Sequence, residues 1–180
     1  KDNFMYVKIK RKPNMWTISG SDCSGGAGIA ADIKTGHALG VEVCHLITAN
    51  TVQNAEKLLS VNPIGIDILQ QQISVLIDDK PPSVIKIGLL ANIAQVNWLT
   101  STLADVKSKY PALMVIFDPV GQASVGGAFS QLQCENLTEL LALVDVITPN
   151  LSEAQQLSTL KSVKPAELAE RINKLGVNSV

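Results

Sequence analysis

The chain is 180 residues long, 46% hydrophobic and only 17% charged, with a formal net charge of -1 at pH 7. Such a composition fills one sizeable core and excludes a disordered or low-complexity chain. With 4% aromatic residues and no basic surplus it offers no footprint for nucleic acid, and no apolar run approaches the roughly twenty residues of a membrane span.

Residues 1–14, KDNFMYVKIKRKPN, hold Lys1, Lys8, Lys10, Arg11 and Lys12, five of the fifteen cationic residues. They read as a solvated basic extension or linker, and a single α/β domain is expected over 15–180. From Met15 onward, short apolar runs alternate with helical periodicity, the pattern of βα units around a largely parallel sheet. MWTIS predicts a first strand ending at Gly20, and AGIAADIKTGHAL a helix closed by Gly40. VEVCHLITA predicts a second, buried strand over 41–49, and the segment to Pro63 has turn residues without a clean period, so it reads as a loop or short hairpin. Ile66, Leu69, Ile73, Leu76 and Ile77 share one face of a helix over 64–79.

After the Pro81-Pro82 break, SVIKIGLL reads as a strand. Ile93, Val96, Leu99, Leu103 and Val106 then stand at helical spacing over 92–110, and ALMVIFDPV is a further buried strand. A glycine-rich loop leads to a helix over 134–143, the strand VDVITPN, a short helix from Leu151 and a helix over 165–175. GVNSV at the end reads as another strand beginning, which predicts a truncated domain.

The stretch SGSDCSGGAGIAADIKTG, residues 19–36, concentrates five of the twelve glycines between the first strand and the first helix. Gly20 and Gly25 have the P-loop separation, but Gly26 and Ala27 stand where Lys and Ser or Thr are required, so a Walker A loop is rejected. Gly26, Gly28 and Ala31 satisfy the dinucleotide pattern, but the second strand ends in Thr48, Ala49 and Asn50, without the acidic residue that would hold the ribose. What remains is a small-molecule pocket in which glycines allow close approach and Asp22 and Asp32 supply acceptors. A tight turn alone would account for two of the glycines.

Cys23, Cys44 and Cys134 are odd in number and far apart, which suggests neither a disulfide framework nor a zinc site and fits a reducing cytosol. The N-terminus lacks the apolar stretch of a secretory signal, so a cytoplasmic protein is expected. His37 and His45 have no partner at metal-ligand spacing and read as packed or surface residues.

Three more clusters, TANTVQN, FDPVGQA and ITPNLSEA, follow predicted strands, where α/β sheets bind ligands. Together with the glycine loop and KIGLL, in this order and at these separations, the chain over about 15–180 resembles the hydroxymethylpyrimidine and phosphomethylpyrimidine kinases of thiamine biosynthesis, in the ribokinase superfamily. The resemblance implies a three-layer αβα sandwich around a mostly parallel sheet. It implies phosphorylation of 4-amino-5-hydroxymethyl-2-methylpyrimidine and then of its monophosphate by ATP with Mg2+, in a homodimer. It places Gly20, Asp22, Asp32, Gln53, Leu89 and Val120 around the aminopyrimidine. Gln53 would read the ring edge, since an amide offers a donor and an acceptor together. Asn150 and Glu153 would lie near the phosphates, and Asp118 and Glu153 near the magnesium, whose preference is for oxygen ligands.

The family's catalytic base belongs to a later G-x-G-C motif, expected beyond Val180, and no cysteine of this chain inherits that role. Cys23 stands where relatives commonly have proline, Ala30 where they often have glutamine, and Gly121 where methionine is usual. A pyridoxal kinase of the same superfamily is the near alternative. A small-molecule binder without catalysis is the alternative of a different class.

Overall fold

The structure, a computed structural model, describes residues 12–120 and 132–180. The basic extension expected at the N-terminus, all but its last residues, and the glycine-rich loop with Gly121 lie outside the described residues. The elements in chain order are β1 (Asn14–Asp22), α1 (Gly28–Ala38), β2 (Glu42–Gln53), β3 (Leu58–Pro63), α2 (Ile66–Asp79), β4 (Val84–Ile87), α3 (Ile93–Lys109), β5 (Met114–Phe117), α4 (Cys134–Leu141), β6 (Val146–Ile147), α5 (Leu151–Ser158) and α6 (Pro165–Asn173).

The strands form one sheet in the order β3-β2-β1-β4-β5-β6. Every pairing is parallel except the β2–β3 hairpin. Strand order reverses between β1 and β4: the chain first moves outward through β2 and β3, then returns and builds in the other direction. Such a switch point opens a crevice beyond the carboxyl ends of the two central strands. Ser179 bridges in parallel to Val146, so GVNSV does approach the sheet as a strand would.

Alternation along the strands decides which layer covers which face. Trp16, Ile18, Ile85, Ile87, Val115 and Phe117 point into the main core with Leu69 and Ile73 of α2 and Leu99 and Leu103 of α3. Trp16 is fully buried, and its indole N–H donates to the Lys80 carbonyl at 2.9 Å, at the end of α2. The opposite face carries Thr17 and Ser19 of β1 and is covered by α1, which packs on β1 and β2. Helices therefore lie on both faces, which makes the predicted three layers. On the α1 side the far strands are thinly covered, with Met114 exposed and Val84, Ile116 and Val146 half-buried.

Three sequence expectations shift. β1 runs past Gly20 to Asp22 and β2 past Ala49 to Gln53, because the two strands stay paired after a bulge between Ser19 and Ser21. The segment after β2 is the hairpin alternative rather than an open loop. On α3, Ile93 is exposed, and Gln95 is buried in the first turn beside Val96. Its amide donates to the carbonyls of Thr48 (2.8 Å) and Ile64 (3.0 Å) and accepts from the Ala91 N–H at 2.9 Å. Periodicity registers Gln95 as polar, yet tertiary contacts use it to join three chain segments that would otherwise bury unpaired backbone groups.

Candidate active site

The glycine loop folds around one carboxylate. Asp22, 8% exposed, accepts from the Ser24 N–H and hydroxyl, both at 2.8 Å, and from the Gly26 and Ala27 N–H groups at 3.1 and 3.0 Å. Burial alone would raise its pKa. The Ser24 hydroxyl and N–H, the Gln53 amide and the Gly26 N–H outweigh burial, and the carboxyl is held below its ordinary value. Asp22 thus builds the loop and keeps a negative charge beside Gln53.

Most of the glycines answer to local geometry. Gly25 and Gly28 have φ of +75° and +56°, a region that side chains disfavour. A Cβ on Gly28 would lie 2.1 Å from the Gly20 carbonyl oxygen, one on Gly20 would lie 2.7 Å from Leu89 Cδ2, and one on Gly36 would lie 2.3 Å from Val43 Cγ2. Close packing of loop, helix and sheet accounts for Gly20, Gly28 and Gly36 and the left-handed backbone for Gly25, four of the five and more than the two that a turn explained in the sequence.

Gln53, half-buried at the end of β2, is brought to this loop by the extended β1–β2 pairing, in which Asp22 stands opposite Thr51. Thr51 Oγ1 donates to the Ser21 carbonyl at 2.9 Å, and Cys23 Sγ donates to the Gln53 carbonyl at 3.0 Å. Leu89 forms the opposing wall against Gly20. Its backbone is fixed on both sides, since Thr48 Oγ1 donates to its carbonyl and its N–H donates to Ser19 Oγ at 3.3 Å. Gly20, Asp22, Gln53 and Leu89 accordingly meet at the carboxyl ends of β1, β2 and β4, at the switch-point crevice.

Asp32, on α1, lies one layer to the side. It accepts a hydrogen bond from Thr17 Oγ1 and faces Lys86 Nζ at 3.2 Å. The same ammonium lies 3.3 Å from Asp118 Oδ2, just past β5. Sequence reading included KIGLL among its motifs but assigned Lys86 no role; only the parallel register, with Thr17 opposite Lys86 and Lys86 opposite Ile116, reveals it. Val120 is half-buried two residues beyond Asp118, and its N–H donates to the Asp118 carbonyl at 2.9 Å.

Asn150 and Glu153 open α5 as a capping box: Asn150 Oδ1 accepts from the Glu153 N–H at 3.0 Å, and Glu153 Oε2 accepts from the Asn150 N–H at 2.8 Å. Both residues thus secure a helix terminus. Asp118 and Asn150 follow β5 and β6, neighbouring parallel strands in which Phe117 pairs with Ile147, so both stand at the carboxyl end of the sheet. Among the described residues no three His, Cys, Asp or Glu side chains converge as a metal cage.

Burial pushes the Cys44 and Cys134 thiols up, the opposite of what activates a nucleophile. His37 and His45 are exposed. No helix among the described residues is long and apolar enough to cross a membrane.

Comparison with known proteins matches this arrangement to one family. Residues 22–180 fit the sequence model of phosphomethylpyrimidine kinase. The hydroxymethylpyrimidine/phosphomethylpyrimidine kinase of Aquifex aeolicus is 35% identical over 171 residues, covering 91% of this chain and 65% of that protein; the chain thus spans just under two thirds of that relative's length. Among solved structures, phosphomethylpyrimidine kinase from Clostridium difficile superposes with a TM-score of 0.78 at 32% identity, covering 91% of this chain and 74% of that one. Bacillus subtilis pyridoxal kinase, solved as an ADP complex, superposes equally well, with a TM-score of 0.78 at 30% identity over 93% of this chain and 63% of that one. By the family match across nearly its whole length, on a fold shared with these vitamin kinases, the chain belongs to the phosphomethylpyrimidine kinase family.

Proposed function

We propose that the protein bearing this chain transfers a phosphoryl group from ATP to the hydroxymethyl group of 4-amino-5-hydroxymethyl-2-methylpyrimidine, and then from a second ATP to the monophosphate. The observation that carries this reading is that the extended β1–β2 pairing sets Asp22 opposite Thr51, two residues before Gln53, at the carboxyl ends of the strands, in a chain whose family is shown by its sequence. Gln53, half-buried at the end of β2, offers an amide donor and acceptor together, suited to the exocyclic amine and ring nitrogen of an aminopyrimidine. Gly20 and Leu89 supply a flat apolar wall for the ring, and Val120 and Asp32 flank the hydroxymethyl end.

Phosphoryl transfer asks the protein chiefly for in-line placement and for charge neutralisation. In this reading Asp118 and Glu153 would hold a hydrated Mg2+, whose contribution would be to neutralise phosphate charge, and Asn150 fixes the helix start beside them. No residue of this chain is assigned the base. The absence of a P-loop lysine in the glycine loop follows from its task, since it cradles the acceptor and not the nucleotide. Free Cys23, Cys44 and Cys134 support a cytoplasmic setting, and a homodimer is the assembly we propose, to be checked by light scattering.

Pyridoxal kinase is the second reading, favoured by the equal superposition on the Bacillus subtilis enzyme. Thermal-shift titration separates the two, because a ligand that binds only the folded state raises the unfolding temperature. Hydroxymethylpyrimidine should stabilise the protein, and Gln53→Ala should abolish most of that shift. Stabilisation by pyridoxal alone would reverse the assignment.

A further inference from the structure

Lys86, in the KIGLL stretch, stands opposite Thr17 on the α1 side of the sheet. Its ammonium reaches both oxygens of Asp32, at 3.2 Å to Oδ1 and 3.3 Å to Oδ2, and also Asp118 Oδ2 at 3.3 Å. The Lys86 and Asp32 side chains are 18% and 16% exposed, whereas Asp118 is 38% exposed. A half-buried cation placed between two carboxylates from α1 and the end of β5 fixes both at once, because neither can move without leaving the ammonium partly unpaired. Space around it is tight: a Cβ on Gly88 would lie 3.3 Å from Lys86 Nζ and 2.2 Å from Ser19 Oγ.

We propose that Lys86 is a positioning residue that aims Asp32 at the acceptor by tying it to Asp118, so that acceptor binding depends on a carboxylate that does not touch the acceptor. This rests on the reading of Asp32 as an acceptor-site residue and Asp118 as a residue of the phosphate side. Lys86 contacts neither substrate in this account. Its effect reaches the acceptor through Asp32 alone.

The test is calorimetric binding of hydroxymethylpyrimidine to the full chain in the absence of magnesium. Lys86→Met should weaken binding about tenfold, less than the loss on truncating one partner of a buried ion pair that itself touches the ligand, because Lys86 acts only through Asp32. Lys86→Gln, which keeps a donor but no charge, should behave likewise, and Lys86→Arg should recover most of the affinity. Asp118→Asn should change affinity in the wild-type background and leave it unchanged in Lys86→Met. Wild-type affinity in folded Lys86→Met or Lys86→Gln, or equal effects of Asp118→Asn in both backgrounds, would overturn the proposal. A purely structural lysine would lower the unfolding temperature but give additive binding effects. If the wild-type chain binds no hydroxymethylpyrimidine, it is the acceptor reading that fails. The bridge is then judged without ligand by the unfolding midpoints of Lys86→Met, Asp32→Asn and their double variant. A double loss smaller than the sum upholds the tie, and strict additivity refutes it.

Discussion

Gly28 has φ +56°, and any Cβ there would meet the Gly20 carbonyl oxygen at 2.1 Å. Gly28→Ala therefore adds a left-handed backbone penalty to a clash with backbone that cannot swing aside, and should cost at least about 2 kcal/mol in urea unfolding. Asp22 makes the second residue-scale prediction. Its carboxyl is held below the ordinary value of 3.8 by hydrogen bonds that outweigh burial, so its ionised form stabilises the folded chain. That contribution is complete above the unfolded value and is lost as pH falls through the lower, folded one. Asp22→Asn should thus destabilise by about 2 kcal/mol near neutrality, and the gap to wild type should close as unfolding is measured below about pH 3.8, the reference from which the shift departs. A gap that stays constant down to pH 2 would mean that the charge has no part in holding the loop.

At the scale of elements, α5 is eight residues long, too short to persist without packing or caps. The Asn150–Glu153 box supplies the cap, and Asn150→Ala should cost about 1 kcal/mol, readable as a lowered unfolding midpoint. Capping and phosphate-side roles are compatible in the same pair. Asn150→Asp keeps the cap acceptor and should retain stability, so any loss of ATP affinity in that variant isolates the second role. The β1–β2 pair shows a different element effect. Residue periodicity marks where a strand is buried, but β2 continues to Gln53 because β1 continues beside it and β3 folds back along its other edge. Neighbouring strands, through backbone hydrogen bonds, set its length, and this extension brings Gln53 to the glycine loop.

For the whole molecule, one core joins the sheet to α2, α3, α4, α5 and α6, so unfolding followed by fluorescence and by circular dichroism should coincide. Leu99, fully buried on α3, is a test of that unity. Leu99→Ala should cost about 2–5 kcal/mol and shift both probes together; separated transitions would show that the two halves of the sheet unfold independently.

Much of this architecture was legible in the residues. Alternating apolar runs and helical spacing located the strands and helices to within a few positions, since burial on a sheet or a helix imposes periods of about 2 and 3.6. Five motifs in the right order, three of them just past predicted strands, indicated the family. Hidden from the sequence were contacts between residues far apart: Gln95 serving three backbone segments, Asp22 spent on its own loop, and Lys86 between Asp32 and Asp118. A lysine in a strand carries no mark of its partners, because strand order and register choose them. Local chemistry therefore determined the elements and the glycine turn, while the reversal between β1 and β4, a property of the folded sheet alone, decided which side chains stand together at the carboxyl ends of the strands.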